Sequence, residues 1–387
     1  MNLIHFGKAQ FSFPPTKQMM KHFFLRHRRL HFWLLADLLA LAAFYLLRGN
    51  RALMNFLALR VTAPIRRVIA SVTGRTPISL MEVLCVLLVL FCIGYVLFSA
   101  LAVFRAKGHR WDRLYSAVLT AAAIGLGLWA AFCLLWGINC WSDGFQTRSG
   151  IYAREVSQEE LAYTTLYFAS RLAETSAAVP RTEEGSFAVP REEIIAESIH
   201  AYDVLETQFP FLAYDDVPVK GMYFSRVMSY LDFTGMFCPF TAESNVNMDS
   251  PAARLPCTAA HELAHQRGFF SEQECNLLGI LASTTCGIPA YEYSGWLSAF
   301  VYTGNALYSV DPELYWTIRG LLPAEVEQDL ADSTAYWAQF EKKLPQKVSN
   351  TVYDGVLKAW GDERGIRSYG TVVDLLVVFF CPELPQT

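Results

Sequence analysis

The sequence is short of charge, of histidine and of paired cysteine motifs. Lys, Arg, Asp and Glu make up 18% of its 387 residues, against about a quarter in an average soluble domain. The net charge is only −4, too weak to point to a nucleic-acid partner. Of eight histidines, only His200, His261 and His265 follow residue 140. Nine cysteines include no CxxC pair; Cys85, Cys92 and Cys133 fall in apolar runs, and the other six give no disulfide assignment. Strand signals are few, and there is no internal repeat or low-complexity segment.

Apolar residues are abundant, at 53%, and unevenly spread. Three windows reach the roughly 20 residues needed to cross a bilayer: His31–Leu47, Leu80–Phe104 and Leu114–Ile138. Basic residues precede the first window, but no small-residue cleavage pattern follows, so it reads as a retained helix rather than a signal peptide. Trp136 and Trp141 suit an interfacial belt at the end of the third. Lys8, Lys17, Lys21, Arg26, Arg28 and Arg29 before the first span, and Arg105, Lys107, Arg110 and Arg113 between the last two, place both segments in the cytoplasm by the positive-inside rule. The remainder then lies outside the cell membrane. The first loop also carries six arginines; its stretch Met54–Val72 reads as an amphipathic helix lying in the membrane interface.

From about residue 140 the composition is globular and long enough for one substantial core. Helical periodicity marks Ser157–Ala173, Arg191–Leu205, Tyr291–Leu307, Pro323–Phe340 and Val348–Trp360. Residues 178–190 read as a loop by their prolines and glycine. The best strand candidate is Gly235–Val246.

The chemistry lies in His261–Asn276, HELAHQRGFFSEQECN. On a helix, His261 and His265 stack on one face, which brings two imidazole nitrogens to one metal ion. Glu262 is turned by about 100°, so it reaches a metal-bound water rather than the metal. Zinc lowers the pKa of such a water to about 7, and the carboxylate takes its proton and delivers it to a leaving amine. Cys257, Ala259, Ala260, Leu263 and Ala264 suit a buried helix, and Gly268 suits its end. Ser271 to Glu274 has the form of a capping box before the apolar run LLGILA. A catalytic zinc needs a third protein ligand. Glu272 is favoured because the capping box engages Glu274; Glu274 is the alternative, and Asn276 shares the Glu272 face as a supporting amide. His200, beside Tyr202, reads as structural, Tyr291 and Tyr293 as aromatic core, and Asp37 as a polar contact between spans.

PFTAESNVN at Pro239–Asn247, LPCTAAHELAHQRGF at Leu255–Phe269, EQECN at Glu272–Asn276, YSGWL at Tyr293–Leu297, IRSYGTVVDLL at Ile366–Leu376 and WGIN at Trp136–Asn139 together resemble a bacterial membrane family, domain of unknown function 3810. HELAH followed by EQECN is also similar to gluzincin metallopeptidases, whose second helix carries E-x-E-A-N or E-x-E-A-D. That resemblance implies a zincin-like domain with Glu272 as metal ligand, Cys275 standing in place of the usual alanine. The interval from His265 to Glu272 is shorter than in most gluzincins, which keeps the third ligand between Glu272 and Glu274. A metzincin third histidine would fall at Ser271, so that pattern fails.

The expectation is a mainly α protein with a basic cytoplasmic tail (1–29), a membrane domain of three transmembrane helices (30–139) and a mostly helical, zincin-like extracytoplasmic domain with little β-sheet (140–387). It is a multi-pass cell-membrane zinc metallopeptidase acting on a peptide or protein substrate, with the lipid bilayer as its other partner and no nucleic acid. The alternative is a non-catalytic envelope sensor or scaffold with a structural metal. An intact Glu262 favours the enzyme, since a structural site has no use for that carboxylate.

Overall fold

The computed structural model describes residues 24–340 and 369–381. Lys8, Lys17 and Lys21, the helix expected over Val348–Trp360 and the start of the Ile366–Leu376 motif lie outside them. Three helices are long and apolar enough to cross a membrane: α1 (Arg28–Leu47), α2 (Leu80–Arg105) and α3 (Arg110–Cys140). They cover the windows expected from hydropathy. Leu87, Leu90, Phe91 and Phe98 of α2 are exposed, an apolar surface larger than soluble proteins leave in water.

The chain divides into two compact units, Met1–Leu46 with Leu88–Ala131, and Leu47–Leu87 with Phe132–Thr387. In the first, α1 and α3 are tied by polar contacts. Arg26 and His27 hold Asp112, His31 Nε2 lies 2.7 Å from the Tyr115 hydroxyl, and Trp129 Nε1 donates to the Tyr45 hydroxyl. Asp37 lies beside Gly127, where a Cβ would stand 3.5 Å from Oδ1.

The first loop belongs to the second unit, and Ile65, Val68 and Val72 along it are exposed. It is helical over Arg51–Leu57 and Ala63–Thr73, joined by a π-helical turn, but several of its arginines turn to protein. Arg66 is buried and donates from Nε to the Gln266 carbonyl at 2.7 Å. Arg51 binds Asp143 at 2.6 Å, Arg67 reaches the Ala213 carbonyl, and Arg48 stacks on Trp141. Contacts with residues far along the chain claim charges that seemed to contradict the positive-inside rule.

The core is built from α4 (Gln158–Ser176), α5 (Leu255–Gln266), α6 (Glu272–Thr285) and α7 (Pro289–Val310). α4 starts at a capping box in which Ser157 and Glu160 satisfy each other's backbone N–H. It packs along α7, while α5, α6 and α7 pack on one another, burying Phe168, Leu172, Leu278, Leu281 and Phe300. The Tyr291 hydroxyl donates to the Ile194 carbonyl at 2.7 Å, and Tyr293 stacks on Phe187 and binds Asp329. Both tyrosines are core residues. The helix expected over Arg191–Leu205 is broken: Arg191–Glu197 passes through a 3-10 turn to Asp203–Gln208.

The strand expected over Gly235–Val246 is two strands. β1 (Lys220–Gly221), β2 (Gly235–Cys238) and β3 (Glu243–Val246) form a sheet in the order β1-β3-β2. β2 and β3 are antiparallel, with Cys238 opposite Glu243. The reversal falls between Pro239 and Ala242, the latter held at φ 52°. Glu243 forms a buried pair with Lys220 and accepts from Leu80 N and Met81 N at 3.2 and 2.8 Å, so the hairpin grips the start of α2. The Ser244 hydroxyl donates to the Glu262 carbonyl at 2.8 Å, which docks α5 against β3.

Candidate metal centre

α5 enters with Pro256 in its first turn, where the missing N–H costs nothing, and buries Ala259, Ala260, Leu263 and Ala264. Its C-terminal carbonyls are satisfied by Arg66 from the first loop, Nε to Gln266 and NH2 to Arg267 at 3.3 Å. Gly268 then turns the chain at φ 99°, a conformation that favours glycine. α6 comes back closely over α5: a Cβ at Gly279 would lie 2.9 Å from His261 N and 3.0 Å from its Cα. That approach sets the distance between the histidines and the start of α6.

His261, His265 and Glu272 converge there. Glu272 Oε2 is 3.2 Å from His261 Nε2, and Oε1 is 3.5 Å from His265 Nε2. All three offer ligand atoms within 4.8 Å of one another. Donors bound to one tetrahedral zinc at its usual bond lengths stand roughly 3.4 Å apart, so these side chains fit such an ion. The His265 ring is oriented from behind, since Nδ1 lies 2.8 Å from the Phe269 carbonyl; donation there leaves the Nε2 lone pair facing Glu272. Cys275 Sγ lies on the same Nδ1 side at 3.3 Å. Burial lowers the pKa of His265, but Cys275 and Glu272 outweigh it and the pKa is raised. Burial acts to raise the pKa of Glu272, and His265 and His261 instead hold it well below the usual carboxylate range.

Glu262 is buried beside this cluster, with Oε2 lacking a hydrogen-bond partner among the described residues. Burial pushes its pKa up to about 7, against the opposing pull of His261 and His265. Gly235 of β2 leaves it room, because a side chain there would collide with its carboxylate.

The capping box expected at Ser271 is absent: Ser271 precedes α6 but makes no side-chain cap. Glu274 points elsewhere. Its Oε2 accepts from Phe145 N at 2.8 Å and Oε1 from Gln146 N at 3.0 Å, capping the short helix Phe145–Ser149. Glu274 is thus engaged as a cap, on a helix remote in sequence, and is not among the clustered donors. Asn276 lines the same cavity as Glu272. His200 lies on the surface beside Asp203 at 2.9 Å, away from the cluster.

The cluster forms part of the wall of a cavity of about 590 Å³. Trp136, Gly235 and Arg254 are among the lining residues that the sequence did not single out for the site. Trp136, expected at a lipid interface, instead packs on Phe237 and Phe270 at ring distances of 4.8 and 5.8 Å. Gly235 gave no local signal. Arg254 did offer one, because it stands seven before His261, on the histidine face of the helical run.

The family profile described as Protein of unknown function (DUF3810) matches residues 59–377. No curated protein and no solved structure matches the chain. The family match takes in α2, α3, the hairpin, both helices of the cluster and most of the last described helix, Tyr369–Phe380. The chain belongs to the DUF3810 family.

Proposed function

We propose that the protein is a membrane-anchored zinc metallopeptidase of the HExxH type, with His261, His265 and Glu272 as ligands and Glu262 as general base. The observation that carries this is the convergence of three ligand atoms on a cavity wall, beside the buried Glu262 carboxyl, whose Oε2 has no hydrogen-bond partner among the described residues. A bound zinc would supply Lewis acidity toward the scissile carbonyl and the attacking water. Glu262 would take the water's proton and return it to the leaving amine. β2 is an edge strand lining the cavity, and its free side offers main-chain groups to an extended peptide. A purely structural zinc would be closed by four ligands, whereas this cluster has three among the described residues and opens on a cavity.

The domain is assigned to the outside of the cell membrane. The basic turn between α2 and α3 supports this, as does the capture of first-loop arginines by the globular fold.

Metal analysis of the purified protein tests the site. Wild type is expected to carry about one zinc per chain, and His265→Ala and Glu272→Ala to lose most of it. Glu262→Gln keeps the zinc and lowers hydrolysis of a peptide mixture by about 10²-fold or more. Wild-type protein without zinc, or a Gln variant as active as wild type, refutes the assignment.

A further inference from the structure

One cation in the cavity has no use in the scheme above. Arg254 is the only Lys or Arg among the described lining residues, and its guanidinium has no hydrogen bond or ion pair with any described residue. Other buried or half-buried arginines are held: Arg66 by carbonyls, Arg181 by Asp329, Arg267 by Asp216 and Glu206. Arg254 is half-buried on the cavity wall, where its guanidinium can meet a ligand.

The acidic groups nearby leave it unclaimed. Glu272 lies against the histidines and Glu262 is buried beside them. Asp232 lines the cavity at the turn before β2. Asp329 shares a second, smaller cavity with Arg254 but is taken by Arg181 and Tyr293. Ser333 lines both cavities with Arg254.

The position is set by α5. Arg254 immediately precedes the helix, and Thr258, His261 and His265 follow it along one face, all lining the cavity. Seven residues of helix advance roughly 10 Å, the span of about three residues of extended peptide.

We propose that Arg254 is a substrate-binding residue that selects a carboxylate about three residues from the bond cleaved, so that the substrates are acidic peptides or free peptide C-termini; this rests on the metallopeptidase reading. A guanidinium pairs with a carboxylate through two parallel hydrogen bonds. A neutral ligand leaves that fork unmatched, and an unmatched polar group is what makes such a site discriminate.

Calorimetric binding to the full-length, zinc-loaded Glu262→Gln protein in detergent at 0.15 M salt tests this without turnover. The probes are three decapeptides: acetylated and amidated Ala-Gln repeats, the same with Glu for Gln, and the Ala-Gln peptide with a free C-terminus. At least one carboxylate-bearing peptide is expected to bind about tenfold or more tighter than the neutral one. Which of the two does so identifies the source of the carboxylate. Adding Arg254→Gln abolishes the preference and Arg254→Lys keeps part of it, with thermal unfolding confirming that both are folded. Equal or absent binding of all three peptides overturns the proposal, as does a preference that survives Arg254→Gln. Zinc content separates this from the parent assignment. An Arg254-dependent preference in protein that binds no zinc keeps the carboxylate site and removes the peptidase. Zinc without any preference does the reverse.

Discussion

Replacing Glu274 by alanine separates the two acidic side chains at the start of α6 by what each one holds. The Glu274 carboxylate is buried, at 6% exposure, and accepts from Phe145 N and Gln146 N. Both donors sit at a helix start, where the backbone offers them no partner. A buried donor left unsatisfied costs about 1–3 kcal/mol. Phe145 N is buried and Gln146 N only partly so, which places the loss at about 2–4 kcal/mol. Gly144 supplies an internal control, because a side chain there would collide with the same carboxylate. Gly144→Ala should therefore destabilise the wild type and be almost neutral beside Glu274→Ala, a coupling of about 1 kcal/mol or more. Thermal unfolding of the four proteins in detergent measures the cycle, with zinc content determined on each. Zinc should persist in all four. Loss of zinc from Glu274→Ala would make Glu274 a ligand, and additive effects would mean that the cap does not exist in solution.

Gly279→Ala replaces no ligand, but its methyl would meet His261 N, Cα and Cβ at about 3 Å; α5 and α6 must separate, and zinc affinity, read by competition with a chelator, should fall about tenfold or more, whereas unchanged affinity would show that the helix spacing does not set the site. In chelator-stripped protein the pKa of Glu262 rises from 4.5 to about 7 on folding, so its carboxyl favours the folded state fully below pH 4.5 and that contribution is lost as pH climbs through 7. Wild type should accordingly become less stable than Glu262→Gln across that window, by up to about 3 kcal/mol, and parallel pH–stability curves would contradict the burial argument. A reporter active only outside the cytoplasm, fused after Thr387, should be active; a silent fusion, with a cytoplasmic reporter active at the same place, would put the cavity inside the cell.

The sequence by itself determined the features that depend on local spacing. Membrane crossing needs only a long apolar run, and His31–Leu47, Leu80–Phe104 and Leu114–Ile138 supply three that recur as helices. The pairing of His261 with His265 needs only four residues of helix. The pull between Glu272 and Glu274 was not local, because the competing partner of Glu274 is a helix start 129 residues away. The S-x-x-E pattern at Ser271 suggested a nearer partner and was wrong for that reason. Gly235–Val246 read as one strand because alternation does not report a reversal at Pro239 and Ala242. The first loop read as an amphipathic helix in the membrane interface, and nothing in it discloses that Arg66 reaches a carbonyl 200 residues further on. Trp136 likewise became a cavity wall only once α3 and the hairpin were packed together. Periodicity reports which face of a helix is apolar, but only the packing decides what that face meets.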